Sequence, residues 1–306
     1  MDILRAIDIS KQFGHSLVLE RLSFSLSPGR IYALVGNNGS GKTTLFRMIM
    51  GLSFPTQGSL SLFGSQTIHE NERARRRIGA LIENPILYEN ASGYQNVNNI
   101  RLLKGISSRS AVDEALRKFG LLNKKRLPVR HYSMGMKQRL ALACALLGNP
   151  ELLLLDEPLN GLDPSGMREI ETTLLQTVRD NGTTIFISSH YLKQLYGFAT
   201  DYIFIDQGHL AGSMTASELE RKCDLCVYLS VPEGEREAAL RILSRTMDND
   251  VRLLENGEIC VYGFQEKLDV INNALNRERI TLNSIRSSGI SLEDYFFQMI
   301  GGNRTC

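Results

Sequence analysis

Short apolar runs recur along the first two thirds of the chain, separated by longer stretches with helical patterning. Ile31–Val35 and the leucine run at 152–155 are almost entirely apolar, which is typical of strands buried on both faces of a parallel sheet. Strands that alternate with helices indicate an α/β domain, which we place at residues 1–212. The predicted strands are Leu4–Ile9, Val18–Leu26, Ile31–Val35, Glu151–Asp156, Thr184–Ser188 and Tyr202–Asp206.

Residues from about 84 to 140 interrupt this alternation. They carry no strong strand signal and are predicted to be helical, with loops at Glu83–Ser92 and Leu127–Ser133. We therefore expect a helical subdomain inserted within the α/β domain.

The pattern changes again in residues 213–306. The dipeptide Asn256-Gly257 lies between two short apolar runs, which is a strong signal for a β-hairpin. The predicted order βαββαβ indicates a small α+β domain of the ferredoxin-like kind, followed by one added helix capped by Ser291. Its predicted elements are Leu225–Val231, Glu235–Thr246, Val251–Glu255, Glu258–Tyr262, Gln265–Asn276 and Ile280–Ile285.

The composition limits the classes of function. The chain has 306 residues, 42% hydrophobic and 22% charged, as in an ordinary globular protein. Its formal net charge of +2 lacks the basicity typical of nucleic-acid-binding proteins, so no nucleic-acid partner is expected. Five scattered cysteines suit a reducing compartment. Since no apolar run approaches the roughly 18 residues of a membrane span and no signal peptide is visible, we expect a cytoplasmic protein.

The segment Gly36–Thr43 reads GNNGSGKT and follows the predicted strand Ile31–Val35. It matches the phosphate-loop pattern G-x-x-x-x-G-K-[ST] in the strand–loop–helix context that the motif requires. Glycines let backbone N–H groups surround an anion, and the N-terminus of the next helix adds partial positive charge. The alternative is a simple turn, against which the Lys-Thr pair argues. We predict ATP and Mg²⁺ as cofactors, with nucleotide contacts from Asn37, Asn38, Gly39, Ser40, Gly41, Lys42, Thr43 and Thr44.

Two acids, Asp156 and Glu157, follow the leucine run. A buried strand aimed at the phosphate loop can hold Asp156 toward Mg²⁺, which the Thr43 hydroxyl would also bind. Lys42 would neutralise the β- and γ-phosphates, and Glu157 could accept a proton from the attacking water. The alternative is a core strand that ends in two surface acids. Beside a phosphate loop, the two acids favour an ATPase.

Further motifs follow in an order known from one family. The segment Tyr132–Arg139 resembles the signature loop of the ATP-binding cassette of ABC transporters, with Ser133 lying 23 residues before the first acid. Asn160–Asp163 is similar to the D-loop of that family, and Ser188–His190 to its switch-histidine loop. Ser291–Phe296 resembles the C-terminal box of its antibiotic-resistance members. Over essentially its whole length, the chain resembles exporter ATPases of the bacitracin- and lantibiotic-resistance type.

The resemblance implies a site shared by two copies of the chain. Two cassettes would pack head to tail, with each ATP between the phosphate loop of one copy and the signature loop of the other. Ser133 and the backbone of Gly135 would then contact the γ-phosphate, near the positive end of the following helix. His190 would hold that phosphate and the attacking water, while Asp163 would link the two sites. Phe13 would stack on the adenine ring.

Two motifs depart from the usual pattern of the family, at three positions. Its glutamine near the metal is matched here by Glu83, which is typical of the lantibiotic-immunity subgroup and would add a negative charge beside Mg²⁺. A shift of register by one residue leaves Asn84 as the alternative. Met134 and Met136 stand where glycine and glutamine are usual, so a polar contact from residue 136 to the nucleotide is not implied.

The function implied by the resemblance is that of the ATP-hydrolysing subunit of an exporter. Dimerisation driven by ATP would be coupled to export of a peptide antibiotic through a separate membrane permease, with the ATPase on the inner face of the membrane. Three alternatives stay open: transport of another substrate in either direction, a cassette protein with no role in transport, and a nucleotide-binding regulator without turnover. Glu157 argues against the regulator, because a site that only binds needs no base.

Overall fold

The computed structural model describes residues 2–65, 67–83, 86–223, 226–246, 251–254, 256–262, 268–288, 295, 296 and 299. The chain divides into two compact units, Met1–Ser213 and Met214–Cys306. Each unit contains a hydrophobic core of its own.

The described residues from 2 to 215 form nine strands and seven α-helices. The strands are β1 (Leu4–Phe13), β2 (Ser16–Leu26), β3 (Ile31–Val35), β4 (Gln57–Leu62), β5 (Ile78–Leu81), β6 (Leu152–Leu155), β7 (Thr184–Ser189), β8 (Asp201–Asp206) and β9 (His209–Thr215). The helices are α1 (Lys42–Ile49), α2 (Ile68–Ala74), α3 (Gly93–Leu103), α4 (Ser110–Lys118), α5 (Met134–Leu146), α6 (Pro164–Asn181) and α7 (Leu192–Leu195).

A six-stranded sheet forms the centre of the first unit, in the order β5-β6-β7-β3-β8-β9. Neighbouring strands from β5 to β8 are parallel, and every residue of β3, β6 and β7 is buried. The apolar runs at these positions therefore reflect burial on both faces, as the sequence predicts. Because the strands are parallel, their carboxyl ends meet at one edge, where the phosphate loop, the two acids and the switch-histidine loop follow.

An antiparallel sheet lies in the same unit, in the order β2-β1-β4. Its buried residues Leu4 and Leu19 belong to the same core cluster as Phe46 of α1 and Phe186 of β7. The rings of Phe46 and Phe186 meet edge to face, with centroids 5.0 Å apart, and both rings are fully buried. One core thus joins the two sheets to the helix that follows the phosphate loop.

Three helices, α3, α4 and α5, pack together in the inserted region. The side chain of Ser92 caps α3 by accepting from the backbone N–H of Gln95, whose side chain bonds back to Ser92. Among the described residues from 86 to 140, the only β-type pairing is an isolated bridge between Ser92 and Pro128. The predicted helical subdomain is confirmed.

The described elements of the second unit are α8 (Ala216–Lys222), β10 (Cys226–Ser230), α9 (Arg236–Thr246), β11 (Val251–Leu253), β12 (Ile259–Tyr262), α10 (Leu268–Arg277) and β13 (Ser284–Ser288). Its strands form one antiparallel sheet in the order β11-β12-β10-β13. This is the strand order of a split βαββαβ unit, in which the two middle strands are the first and third. Helices α9 and α10 contribute Leu243 and Ile271 to a core that also contains Val227 and Leu229.

The turn between β11 and β12 has the geometry expected for an Asn-Gly pair. Gly257 has a φ of 81°, and the Asn256 side chain accepts from the backbone N–H of Glu258 at 3.0 Å. The two strands pair antiparallel on either side. The predicted hairpin is therefore confirmed, because glycine adopts the left-handed conformation of this turn without strain.

One predicted strand is misplaced. The sequence predicts a strand over Ile280–Ile285, whereas β13 begins at Ser284. Ile280 is buried in the core of the second unit and lies in the loop between α10 and β13, so its apolar character comes from packing and not from strand pairing. The predicted helix cap Ser291 lies outside the described residues.

No helix in the described parts of the chain combines the length and apolarity needed to cross a membrane.

The buried leucines of β6 should control the stability of the first unit. Leu154 has no exposed surface, so its replacement by alanine leaves a cavity and should lower the free energy of unfolding by about 2–5 kcal/mol. Leu17→Ala is the matched control, because Leu17 is half exposed and should cost about 0.5 kcal/mol or less. Urea unfolding followed by circular dichroism measures both values, and equal losses would contradict the burial pattern.

Candidate nucleotide site

The phosphate loop joins the end of β3 to the start of α1. A Cβ atom at residue 36 would lie 2.3 Å from the carbonyl oxygen of Ile205, so only glycine fits there. Gly39 and Gly41 have φ values of 80° and 103°, in the region that glycine adopts without strain. The glycines thus permit the tight loop in which successive backbone N–H groups can surround an anion at the N-terminus of α1.

Lys42 begins α1, and its side chain folds back into the loop. Only 5% of this side chain is exposed, and its ammonium group donates to the carbonyl oxygens of Gly36 at 2.7 Å and Asn37 at 3.1 Å. Burial lowers the pKa of Lys42, and the Glu157 carboxylate, 3.4 Å away, opposes this shift. The loop therefore holds a partly desolvated cation that favours a nearby anion.

Asp156 follows β6, and its carboxylate accepts hydrogen bonds from side chains of α1 and β7. Its Oδ2 atom accepts from the Thr43 hydroxyl at 2.6 Å, and its Oδ1 atom accepts from the Ser188 hydroxyl at 2.6 Å. Asp156 is buried, and its backbone N–H donates to Leu81 of the adjacent strand β5 at 2.8 Å. The carboxylate and the Thr43 hydroxyl thus meet beside the phosphate loop, as the sequence predicts for the side chains that would bind Mg²⁺.

Glu157 is the next residue and has a φ of 47°, which is uncommon for a residue with a side chain. Its backbone N–H donates to the Ser188 hydroxyl at 2.9 Å. Its carboxylate Oε2 contacts Nδ1 of His190 at 2.6 Å and accepts from the side-chain amide of Asn160, while Oε1 faces Lys42. The sequence alone assigns no role to Ser188 or Asn160, although both contact the site. The only sequence signal for them is that Ser188 lies in the switch-histidine loop and Asn160 in the D-loop.

The residues around the loop fit a nucleotide with its metal ion. The Ser40 hydroxyl is buried and has no hydrogen-bond partner among the described residues, so it can donate to a ligand oxygen. No group of three or more His, Cys, Asp or Glu side chains that could hold a metal occurs in the described parts of the chain. One carboxylate and one hydroxyl suit Mg²⁺, which is usually completed by phosphate oxygens and water.

The residues of the signature loop lie at the start of α5. The Ser133 hydroxyl caps this helix by accepting from the backbone N–H of Met136 at 3.3 Å, and Ser133 itself is exposed. A Cβ atom at Gly135 would approach the Leu162 side chain to 3.3 Å. Met134 is 70% exposed. Within one chain, these residues share no hydrogen bond with the phosphate loop among the described positions.

Asp163 and Phe13 also lie outside the hydrogen-bonded cluster around Lys42. Asp163 is exposed at the N-terminus of α6, where a hydrogen bond from the Ser165 hydroxyl lowers the pKa of its carboxyl group. Phe13 ends β1 with half of its surface exposed, and the Lys11 ammonium lies 4.6 Å from the centre of its ring. Both side chains are accessible to a ligand or a partner.

Glu83 follows β5 with a φ of 61°, and its carboxylate forms an exposed ion pair with Arg47 of α1. This contact holds the carboxylate on the helix that follows the phosphate loop. The alternative residue, Asn84, lies outside the described residues.

Comparisons with known proteins show the family of this chain. Residues 19–160 match the profile of the family described as ABC transporter. The bacitracin transport ATP-binding protein of Enterococcus faecalis is 37% identical over 300 residues, which cover 98% of this chain and 97% of that protein. This chain belongs to the ATP-binding proteins of ABC transporters. The predicted family is therefore confirmed, and with it an ABC ATPase that binds and hydrolyses ATP.

Other members of this ABC family are similar over smaller parts. The lantibiotic transport ATP-binding protein of Streptococcus pyogenes is 38% identical over 208 residues, which cover 68% of this chain and 89% of that protein. The solved structure of cbiO1 from Clostridium perfringens, described as part of an ABC transporter complex, shares 25% identity at a TM-score of 0.64. The match covers 80% of this chain and 95% of that chain. ABC ATPase subunits work as dimers with separate membrane permeases.

The conformation of Gly41 gives a direct test of the loop. A Cβ atom there would lie 2.3 Å from Cδ2 of Leu19, on a backbone with a φ of 103°. The strain of about 1–3 kcal/mol in Gly41→Ala should weaken ATP binding about 5- to 150-fold, measured by calorimetric titration. Gly234→Ala is the control, because its Cβ would meet no atom within 4 Å. Unchanged affinity in Gly41→Ala would show that this loop does not hold the nucleotide.

Proposed function

We propose that this ABC ATPase uses Glu157 as the base that activates water against ATP, and that hydrolysis drives an exporter of peptide antibiotics. The observation that carries the catalytic proposal is the contact set of one carboxylate. Glu157 lies 3.4 Å from the phosphate-loop lysine and 2.6 Å from Nδ1 of His190. A carboxylate at this position can accept a proton within reach of the γ-phosphate.

Four other polar residues of the cluster have proposed roles toward the nucleotide, its metal ion or the attacking water. Lys42 would move from Glu157 and the loop carbonyls to the β- and γ-phosphates, together with the loop amides. Thr43 and Asp156 would hold Mg²⁺, which supplies neutralisation of the phosphate charge. His190 would position the attacking water and the γ-phosphate from the other side of Glu157. The loop residues that we propose to contact the nucleotide are Asn37, Asn38, Gly39, Ser40, Gly41, Lys42, Thr43 and Thr44.

A second copy of the chain would complete the site. Ser133 and Asp163 are exposed at the N-termini of α5 and α6, and the hydrogen bonds of Ser133 stay within α5 among the described residues. The N-terminus of the 13-residue helix α5 favours an anion. Ser133 and the Gly135 amide would therefore bind the γ-phosphate held by the other copy, while Asp163 would contact the opposite site.

Two peripheral residues complete the proposal. Phe13 is exposed enough to stack on the adenine ring. Glu83 would approach Mg²⁺ after it leaves Arg47, with Asn84 as the rival for this position. We propose that residues 1–212 form the cassette, residues 213–306 form an accessory domain, and a separate permease holds the protein at the inner face of the membrane.

The proposed substrate class rests on similarity to the transport proteins described above. The relative from Enterococcus faecalis covers nearly the whole of this chain and is named for bacitracin transport. The relative from Streptococcus pyogenes is named for lantibiotic transport. Both names denote peptide antibiotics, so we propose export of that class.

Replacing Glu157 by glutamine tests the catalytic role. The amide keeps the size of the side chain but cannot accept the proton, so the rate of ATP hydrolysis should fall about 100-fold or more. ATP affinity should stay close to that of the unchanged protein, since the loop is intact. Phosphate release by the full-length chain measures turnover, and Glu72→Gln on the exposed face of α2 is the control. Full turnover in Glu157→Gln would overturn the proposed mechanism.

Deleting the gene from its host tests the substrate class. Loss of the exporter should make the cells more sensitive to bacitracin or a lantibiotic, measured as a lower minimal inhibitory concentration. A plasmid copy should restore resistance, whereas a copy with Glu157→Gln should not, because export requires hydrolysis. Sensitivity to an aminoglycoside should stay unchanged. Equal sensitivity of deleted and intact cells to both peptide antibiotics would contradict export of this class.

A further inference from the structure

Asn160, the first residue of the D-loop, contacts Glu157, and the sequence alone predicts no such contact. Glu157 to Asn160 forms a tight turn, closed by a hydrogen bond of 3.2 Å from the Asn160 backbone N–H to the Glu157 carbonyl oxygen. The side-chain amide of Asn160 folds back over this turn and donates to Oε2 of the Glu157 carboxylate. A residue of the D-loop therefore touches the proposed base directly.

The two oxygens of this carboxylate have different surroundings. Oε2 contacts both Nδ1 of His190 and the Asn160 amide. Oε1 lies 3.4 Å from the Lys42 ammonium, so it is the oxygen on the side of the phosphate loop. When Lys42 turns to the phosphates of ATP, Oε1 loses that neighbour. The contacts of Oε2 are unaffected by this movement, because neither His190 nor Asn160 belongs to the phosphate loop.

We propose that Asn160 is a positioning residue for hydrolysis, whose amide holds Oε2 so that Oε1 receives the proton of the attacking water. This inference rests on the proposed role of Glu157 as the base. A carboxylate side chain has rotatable bonds, and the amide restricts them without taking up the proton itself. Correct orientation of a reacting group is a large part of catalysis, since a misplacement of about 1 Å can cost a factor of about 100 in rate.

A purely structural role of Asn160 in the turn is the competing explanation, because asparagine is common in turns. The backbone hydrogen bond already closes this turn, and the Asn160 side chain is directed to a carboxylate and not to a backbone group. Asn160 is also exposed, so its replacement opens no cavity in the core. The two roles predict different kinetics.

The test compares Asn160→Leu, which removes the amide at similar size, with Asn160→Asp, which places a second carboxylate against Glu157. In the full-length protein, kcat for ATP hydrolysis should fall about 10- to 100-fold in Asn160→Leu, and further in Asn160→Asp because like charges repel. KM for ATP and the thermal unfolding midpoint should stay close to those of the unchanged protein. Asn181→Leu, at the exposed end of α6, is the matched control.

A double variant separates this inference from the proposed function. If Asn160 acts through Glu157, Glu157→Gln with Asn160→Leu should hydrolyse ATP no more slowly than Glu157→Gln alone. Unchanged kcat in both Asn160 variants, or a raised KM with unchanged kcat, would overturn the inference even when Glu157→Gln is inactive. An active Glu157→Gln would instead remove the proposed base. Should Asn160→Leu be unstable, kcat and KM of Asn160→Asp decide whether Asn160 positions Glu157, because aspartate has the same shape as asparagine.

Discussion

The nucleotide site depends on the groups that neutralise one buried positive charge, the ammonium of Lys42. The Lys42 side chain is almost completely buried at the start of α1, and burial lowers its pKa, so the charged form needs negative groups nearby. In the described structure those groups are two loop carbonyls and the Glu157 carboxylate. Triphosphate oxygens offer the same ammonium stronger partners. Under the proposed function, ATP binding would exchange one anion for another at Lys42, and the same exchange would release an oxygen of Glu157 for proton transfer.

This exchange requires that residues far apart in sequence meet within a few ångströms. The parallel sheet ensures it, because β3, β6 and β7 are neighbours whose carboxyl ends lie at one edge. The Asp156 carboxylate therefore accepts direct hydrogen bonds from the hydroxyls of Thr43 and Ser188, at 2.6 Å each. The position of β6 between its neighbours is therefore part of the proposed catalytic arrangement, since a shift of this strand would break both hydrogen bonds.

Much of this arrangement is predictable from sequence, for reasons that differ between regions. The bounds of β3 agree with its apolar run, because a strand buried on both faces excludes polar residues. Strand β4 reads QGSLSL and was not predicted, since its partly exposed residues lack a strong apolar pattern. The misplaced strand near Ile280 shows the converse, because an apolar loop residue that packs into the core imitates part of a strand. The pairing of Glu83 with Arg47, 36 positions apart, has no local signal at all.

The contacts of the signature loop support the proposal that one copy of the chain holds only part of a site. The Ser133 hydroxyl accepts from the backbone of its own helix, which uses an oxygen lone pair and leaves the hydroxyl proton without an acceptor among the described residues. The first amides of α5 carry the positive end of the helix dipole on an exposed surface. Such a group of donors is suited to an anion, but no hydrogen bond joins it to its own phosphate loop in the described structure. In the proposed dimer, a phosphate presented by another copy would satisfy both the hydroxyl and the amides, so that nucleotide binding and pairing of two chains would be the same event.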